Sequence, residues 1–295
     1  MKLKTHKWIV IGIFAGAAFF GLIFILALLG FSAADSTALP FKRIAVVRLE
    51  GIITDSDWHA GLLREHLSNR NIAGVLLRVD SPGGAVAPSQ EIYNVIAAYK
   101  AAGKPLIVSM GNVAASGGYY IASPAYKIFA SPGTLTGSIG VIFTLPKYQE
   151  LAKKIGIDFR VLKAGEMKDV GSPYREMTEN EKMSLQSLLD DVHEQFISDV
   201  AAGRSVDAED IRPLADGRIF TGRQAFESGL VDSLGGYAEA LNYLRQICGI
   251  PESVRPVTRR QHTGWREFFL ESAQKYLPGV EPFFRPAGMY YLFVP

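Results

Sequence analysis

The chain has 295 residues, 48% of them hydrophobic and 20% charged, with a formal net charge of +2. That composition supports a real core and excludes a disordered chain. A single cysteine, Cys248, excludes a disulfide within the chain and a cysteine-rich metal site, and the near-neutral charge gives no reason to expect a nucleic-acid partner.

In chain order, Lys2, Lys4 and Lys7 precede "WIVIGIFAGAAFFGLIFILALLGF", and no charge occurs from Trp8 to Ala34. A run of that length predicts one transmembrane helix in residues 1–34, with the lysines placing the N-terminus in the cytoplasm and the rest of the chain on the far side of a bacterial-type inner membrane. The competing reading is a cleaved signal peptide, since "FSAAD" offers small residues at Ser32 and Ala34; the apolar region exceeds the usual signal-peptide core, which favours an uncleaved anchor. Without residues 1–34 the net charge is about −1, because three lysines and no acid are removed.

A polar linker, "ADSTALPFK", leads into an expected α/β domain over residues 35–250. "RIAVVRLEG" and "AGVLLRVD" read as strands, with a helix from about Trp58 to Ser68 between them. "PSQEIYNVIAAYKAAG" suits a helix from about Pro88, and "PLIVSM" a buried strand. "YKIFAS", "GSIGVIF" and "IDFRVLKAG" extend the strand-like alternation, with a short helix near Lys147 to Ile155. Such alternation predicts a mostly parallel sheet covered by helices.

The longest helix should start at Thr178, where "TENE" reads as a capping box, and Leu185, Leu188, Leu189, Val192 and Phe196 form its apolar stripe. A second box, "TGRQ" at Thr221, should open a short helix. From residue 251 to 295 the composition changes: prolines, the basic pair Arg259 and Arg260, then the apolar end "GMYYLFVP". This tail could be disordered, pack on a neighbouring subunit near its active-site groove, or touch the membrane surface.

Two βα junctions could carry chemistry. "RVDSPGGAV" places two consecutive glycines between a strand and a helix, which suits an ordinary turn or backbone N–H groups aimed at an oxyanion. Neither GxGxxG nor GxxxxGK[ST] is present, so a phosphate loop fits poorly. In "NVAASGGYYIASPA", Ser116 follows "PLIVSM" and opens an apolar helix, where it could act as a plain N-cap or as a nucleophile in a positive local potential.

A nucleophilic serine needs a base. The five histidines, His6, His59, His66, His193 and His262, have no setting typical of a Ser-His-Asp triad. Lysine can serve where burial favours its neutral amine, and "VLKAGEMKDVGSPYREMT" offers Lys163 and Lys168, the latter in a turn-rich stretch. Cys248, within "ALNYLRQICGI", reads as core.

Taken in order, "VDSPGG", "NVAASGGYYIA", "LTGSIGVI", "KDVGSPYREMT" and "ADGRIFTGRQAFESGLVDSLGG" resemble the signal peptide peptidase A family of membrane-anchored serine proteases, over roughly Ile44 to Leu244. The resemblance implies a ClpP/crotonase-like fold, Ser116 as nucleophile, Lys168 as general base, Ser138 as the residue orienting the lysine amine, and an oxyanion hole at Gly83 with Gly117 as second donor. It implies neither metal nor nucleotide cofactor. The chain has one copy of the protease unit, so the family pattern implies a ring-like homo-oligomer in which serine and lysine come from neighbouring subunits. Implied substrates are signal peptides and other exposed polypeptides. Two rivals share the fold: a non-catalytic oligomeric scaffold, in which Ser116 and the glycines only pack subunits, and a crotonase-type acyl-CoA enzyme, disfavoured because the far side of a membrane lacks CoA.

Overall fold

Strand β1 (Arg43–Glu50) pairs in parallel with β2 (Ile72–Ser81), and β2 with β4 (Leu106–Ala115). These strands come from a computed structural model that describes residues 42–259 and 289–293, together with Gly21. The chain divides into two compact units, 1–42 and 43–295, and the expected transmembrane segment, apart from Gly21, lies outside the described residues. Among the described residues no helix is long and apolar enough to cross a membrane.

The strands run β7 (Ile219–Thr221), β6 (Leu135–Gly137), β4, β2, β1, β9 (Val257–Thr258), while β5 (Lys127–Ala130) joins β4 to β8 (Ser233–Leu234) off that path. Every pairing in this sheet is parallel except β6 with β7. The reason lies in the strand sequences: β2 carries Val75, Leu76, Leu77 and Val79, fully buried on both faces, as a parallel sheet under helices requires.

Alternate residues on β1 separate the two faces. Ala45, Val47 and Leu49 join one core with Val75, Leu77 and Val79, under helices α1 (Asp57–Ser68), α2 (Val86–Ala101) and α3 (Gly117–Ala122). Ile44 and Val46 join Leu76, Ile107 and Phe129 under Ala240 and Leu244 of α8 (Tyr237–Cys248). Gly74 lets that helix lie close, since a Cβ there would stand 2.8 Å from a Leu244 methyl and 2.9 Å from the Cys248 sulfur. Cys248 is therefore a packing residue of this second core, as expected.

Between β6 and the long helix lie α4 (Gln149–Lys154) and a 3-10 turn at Glu166–Asp169. Helix α5 (Glu179–Arg204) starts at the expected capping box: Thr178 Oγ1 accepts from Glu181 N–H, and the Glu181 carboxylate accepts from Thr178 N–H. A short α6 (Ala208–Ile211) follows it. The second box, Thr221 with Gln224, opens α7 (Gly222–Glu227).

Two expectations are corrected. "IDFRVLKAG" forms no strand, and Ile157, Phe159, Val161 and Leu162 are exposed, with Phe159 stacked on Tyr174 at 3.7 Å. A β-branched run becomes a strand only where a neighbouring edge accepts its hydrogen bonds, and none of the described strands does so. The apolar stripe of α5 is buried only from Val192 onward, while Leu188 is 45% exposed.

Candidate active site

Strand β4 ends in Val113, Ala114 and Ala115, paired with Leu135, Thr136 and Gly137 of β6. The chain then turns sharply at Ser116, whose backbone is left-handed at φ 52°, ψ −118°, and enters α3. Non-glycine residues hold such a conformation only where their surroundings enforce it. Here Ser116 N–H donates to Gly137 O at 2.7 Å, and Ser116 O accepts from Tyr120 N–H at 2.8 Å. The Oγ of this buried serine takes part in no hydrogen bond among the described residues. It is a strained strand-to-helix turn carrying an unengaged hydroxyl at a helix start.

The same β6 end positions Ser138, which is also left-handed at φ 51° and donates its N–H to Arg218 O at 2.8 Å. Gly137 has to be glycine: a Cβ would meet the Phe220 ring at 2.4 Å. The expected strand "GSIGVIF" therefore stops at Gly137 and contributes only a bridge at Ile142. The segments "TGSIG" and "GRIF", distant in sequence, are brought together against the serine.

On the other side stands the "SPGG" turn. Gly83, at φ 104°, lies in the short strand β3 (Gly83–Ala85) and donates its N–H to Ser81 Oγ at 3.1 Å. Its Cα faces the start of α3, since a Cβ would stand 2.6 Å from Gly117 N and 2.0 Å from the Tyr291 carbonyl oxygen. Gly117 N–H is engaged in no hydrogen bond among the described residues. Gly117 is thus the open donor beside Ser116, and Gly83 the close-approach position opposite it.

Gly83→Ala should therefore be severe. The strained φ alone costs about 1–3 kcal/mol, and the methyl group pushes β3 away from Gly117. We expect a Tm drop of several degrees and, because the methyl group displaces the backbone beside the Gly117 N–H, a loss of peptidase rate of about 100-fold, the scale of a misplaced oxyanion donor. Unchanged activity in a normally folded variant would remove Gly83 from the site.

Lys168 is exposed in the 3-10 turn, and its amine has no partner among the described residues. The structure thus brings Gly83, Ser116, Gly117 and the Ser138 segment together, and Lys168 makes no hydrogen bond to any of them among the described residues. No histidine among the described residues hydrogen-bonds to Ser116: His59 instead contacts Arg48 O at 3.2 Å, and the His66 ring is buried without partners.

The Lys168 turn has its own clamp. Arg175 hydrogen-bonds Asp169 at 2.7 Å and also holds Glu181, while Lys163 holds Asp169 from the other side. Hydrogen bonds from Arg175, then Lys163, keep the Asp169 carboxyl well below the usual range, and Arg175 with the Thr178 backbone N–H takes Glu181 down to about 2. Both carboxylates are depressed, so their stabilising contribution is complete above about pH 5 and is lost as pH falls through the ordinary value of about 4 towards 2. Urea midpoints should fall across that window in the parent chain and fall less in Arg175→Met; equal slopes would rule out the clamp as an acid-labile tie.

What the sequence reading missed is a buried aromatic cluster packed around α3. Tyr93, Tyr120 and Phe196 converge there, with ring centroids 4.9 Å apart for Tyr93–Tyr120 and 5.0 Å for Tyr120–Phe196. Tyr120 O–H donates to the Asp199 carboxylate and Tyr93 O–H to Asp199 O at 2.7 Å. Burial pushes Tyr93 up to about 12, and burial followed by the Asp199 bond pushes Tyr120 up further, so both remain neutral donors. The signal was the aromatic pair in "SGGYY", four residues from the serine; its partners on α2 and α5 are not readable from spacing.

Residues 98–250, which include Ser116, Ser138 and Lys168, match the model of peptidase family S49. The chain belongs to this family. Relatives include a candidate protease of Synechocystis sp., 41% identical over 74% of this chain and 82% of its own length. A candidate signal peptide peptidase SppA of Enterococcus faecium is 37% identical over 78% of this chain and 70% of its own. Protease 4 of Haemophilus influenzae is 34% identical over 78% of this chain, which spans 37% of that longer protein. This S49 chain is a serine peptidase of the SppA type, and its parallel-rich α/β sheet fits a ClpP/crotonase-like fold. Family membership sets aside the scaffold and acyl-CoA readings.

Proposed function

We propose that this serine peptidase is a membrane-anchored endopeptidase that uses Ser116 as nucleophile and Lys168 as general base. The observation that carries the reading is the strained turn at Ser116, with an unengaged hydroxyl between Gly83 and the open N–H of Gly117. In the reaction, the neutral Lys168 amine takes the Ser116 proton as Oγ attacks the peptide carbonyl. The oxyanion forms beside Gly117 and Gly83, and Lys168 then protonates the departing amine. Water attacks the acyl-enzyme through the same base and releases the second product. Ser138, anchored next to Ser116 through the β6 end, orients the amine.

In this reading a neighbouring subunit supplies Lys168, which makes no hydrogen bond to Ser116 within the chain. The exposed apolar surface around it supports this arrangement: Leu151, Ile155, Val161, Leu162 and Met167 are all more than two-fifths exposed. Such a surface is expected to be covered in an assembly. The substrate class is signal peptides and other exposed polypeptides, reached through an N-terminal anchor that holds a ring-like homo-oligomer at the outer face of an inner membrane.

The test is acyl-enzyme trapping on the full chain in detergent, read by intact mass, for the parent, Ser116→Ala and Lys168→Ala. An acyl-directed probe should add its mass to the parent and to neither variant. Labelling of Ser116→Ala at the parent's level would overturn the nucleophile assignment.

A further inference from the structure

Between Ile142 and Asn180 only Ala152 is buried. The Glu166–Asp169 turn that carries Lys168 lies in this stretch, so apolar burial within the chain does little to hold it. Polar contacts hold it instead. Lys168 N–H donates to Gly165 O at 3.2 Å, and Ser172 N–H donates to Asp169 O at 3.0 Å. Lys163 Nζ donates to Glu166 O at 2.7 Å and to the Asp169 carboxylate, and so spans the turn from one end to the other.

Arg175 joins this turn to the packed part of the domain. Its Nε donates to Asp169 Oδ2 at 2.8 Å and its Nη2 to Asp169 Oδ1 at 2.7 Å, a bidentate pair on the residue that follows Lys168. The other side of the guanidinium reaches Glu181, with Nη1 donating to Oε2 at 2.8 Å and Nη2 to Oε1, and Nη1 also donates to Glu176 O at 2.9 Å. Each N–H of the guanidinium therefore has an acceptor. Glu181 is buried and fixed in the capping box of α5, where its carboxylate accepts from Thr178 N–H at 2.8 Å. From Val192 onward that helix packs into the core. Contacts thus run from the core through α5, Glu181, Arg175 and Asp169 to the residue beside Lys168.

We infer that Arg175 is a positioning residue for the reaction: by fixing Asp169 to the start of α5 it sets where the Lys168 amine stands relative to the serine it serves. This rests on Lys168 acting as general base, as proposed above. An ion pair that only stabilised the fold would need one carboxylate, whereas Arg175 bridges two, one beside the base and one in a helix cap. The planar fork is what permits the bridge, since an ammonium has no rigid geometry with which to orient two carboxylates at once. A displacement of about 1 Å in a reacting group costs on the order of 100-fold in rate, so a loosened turn lowers turnover even where the fold survives. Arg175 makes no hydrogen bond to Gly83, Ser116 or Gly117, so its loss should act on turnover and leave substrate binding unchanged.

The experiment measures kcat and KM of the full chain in detergent, with fluorescein-labelled casein as substrate, for the parent, Arg175→Ala, Arg175→Lys and Lys168→Met. Folded fraction is read by circular dichroism and assembly by light scattering. Per folded chain, Arg175→Ala should lose kcat by at least about tenfold with KM within about threefold of the parent. Millimolar methylguanidinium, which can occupy the vacated fork, should raise the Arg175→Ala rate at least about threefold and leave Lys168→Met inactive. Arg175→Lys keeps the stem and one charge, covers the case in which the alanine variant does not fold, and should still lose kcat by at least about threefold. An arginine needed only for stability would lower the folded fraction and leave kcat per folded chain at the parent's value. That result, a loss confined to KM, no response to methylguanidinium, or failure of both Arg175 variants to fold would overturn the inference, with an inactive Lys168→Met leaving the dyad standing. A fully active Lys168→Met would instead remove the general base on which the inference rests.

Discussion

Ser116→Ala should abolish peptidase turnover, by on the order of 10⁴-fold or more, since loss of a serine nucleophile removes the covalent route altogether. The same change should leave the fold intact. Alanine removes only an oxygen that makes no hydrogen bond among the described residues, and it keeps the backbone bonds to Gly137 and Tyr120. Stability should move by less than about 1 kcal/mol, read as a urea midpoint. Ser116→Gly sharpens the test: it relieves a left-handed backbone at φ 52°, so it should be equally inactive and more stable than Ser116→Ala by about 1 kcal/mol. An inactive variant with wild-type folding identifies a chemical role. A variant that unfolds would show that Ser116 is needed chiefly for packing.

Lys168→Met should lower the rate by about 10²–10⁴-fold, the range of a lost general base. Its mixture with Ser116→Ala carries more information. If serine and lysine come from neighbouring subunits, an equimolar mixed oligomer rebuilds about a quarter of its sites, each pairing a Ser116 from one variant with a Lys168 from the other. Activity should return to that scale from two inactive preparations. Failure to recover, with subunit exchange confirmed by light scattering and labelled chains, would place both groups in one chain.

Both predictions depend on features that differ in how far the sequence exposes them. Ser116 was visible as a small polar residue at a strand-to-helix junction, because β4 is an apolar run and α3 begins with two glycines. Its strain was not visible, since φ is enforced by the Gly137 carbonyl on a strand some twenty residues away. The "SPGG" turn was legible as flexible backbone, whereas its approach to Gly117 required the β2–β4 pairing. "IDFRVLKAG" misled because strand propensity reports how a side chain fits a half-buried pleat, and no described edge offers that pleat.

The tail is the sharpest contrast. "YYLFVP" was read as an apolar end that could dock near an active-site groove of a neighbouring protomer, and the strand lies instead along β3 of the same chain. Nothing in local periodicity could choose that partner, because pairing between residues about two hundred positions apart is set by which edge is left open after the main sheet has formed.

By itself the sequence determined most of the strand and helix alternation, the two capping boxes and the ordered motifs of an SppA-type peptidase. These depend on period, on short-range hydrogen bonding and on residue type, all of which are local. Only the tertiary structure decided that Ser116 is strained, that Gly117 carries the open donor and that Tyr291 packs between Tyr120 and Phe196. Each of these is a contact between segments far apart in the chain, and such contacts exist only once the sheet has placed their backbones.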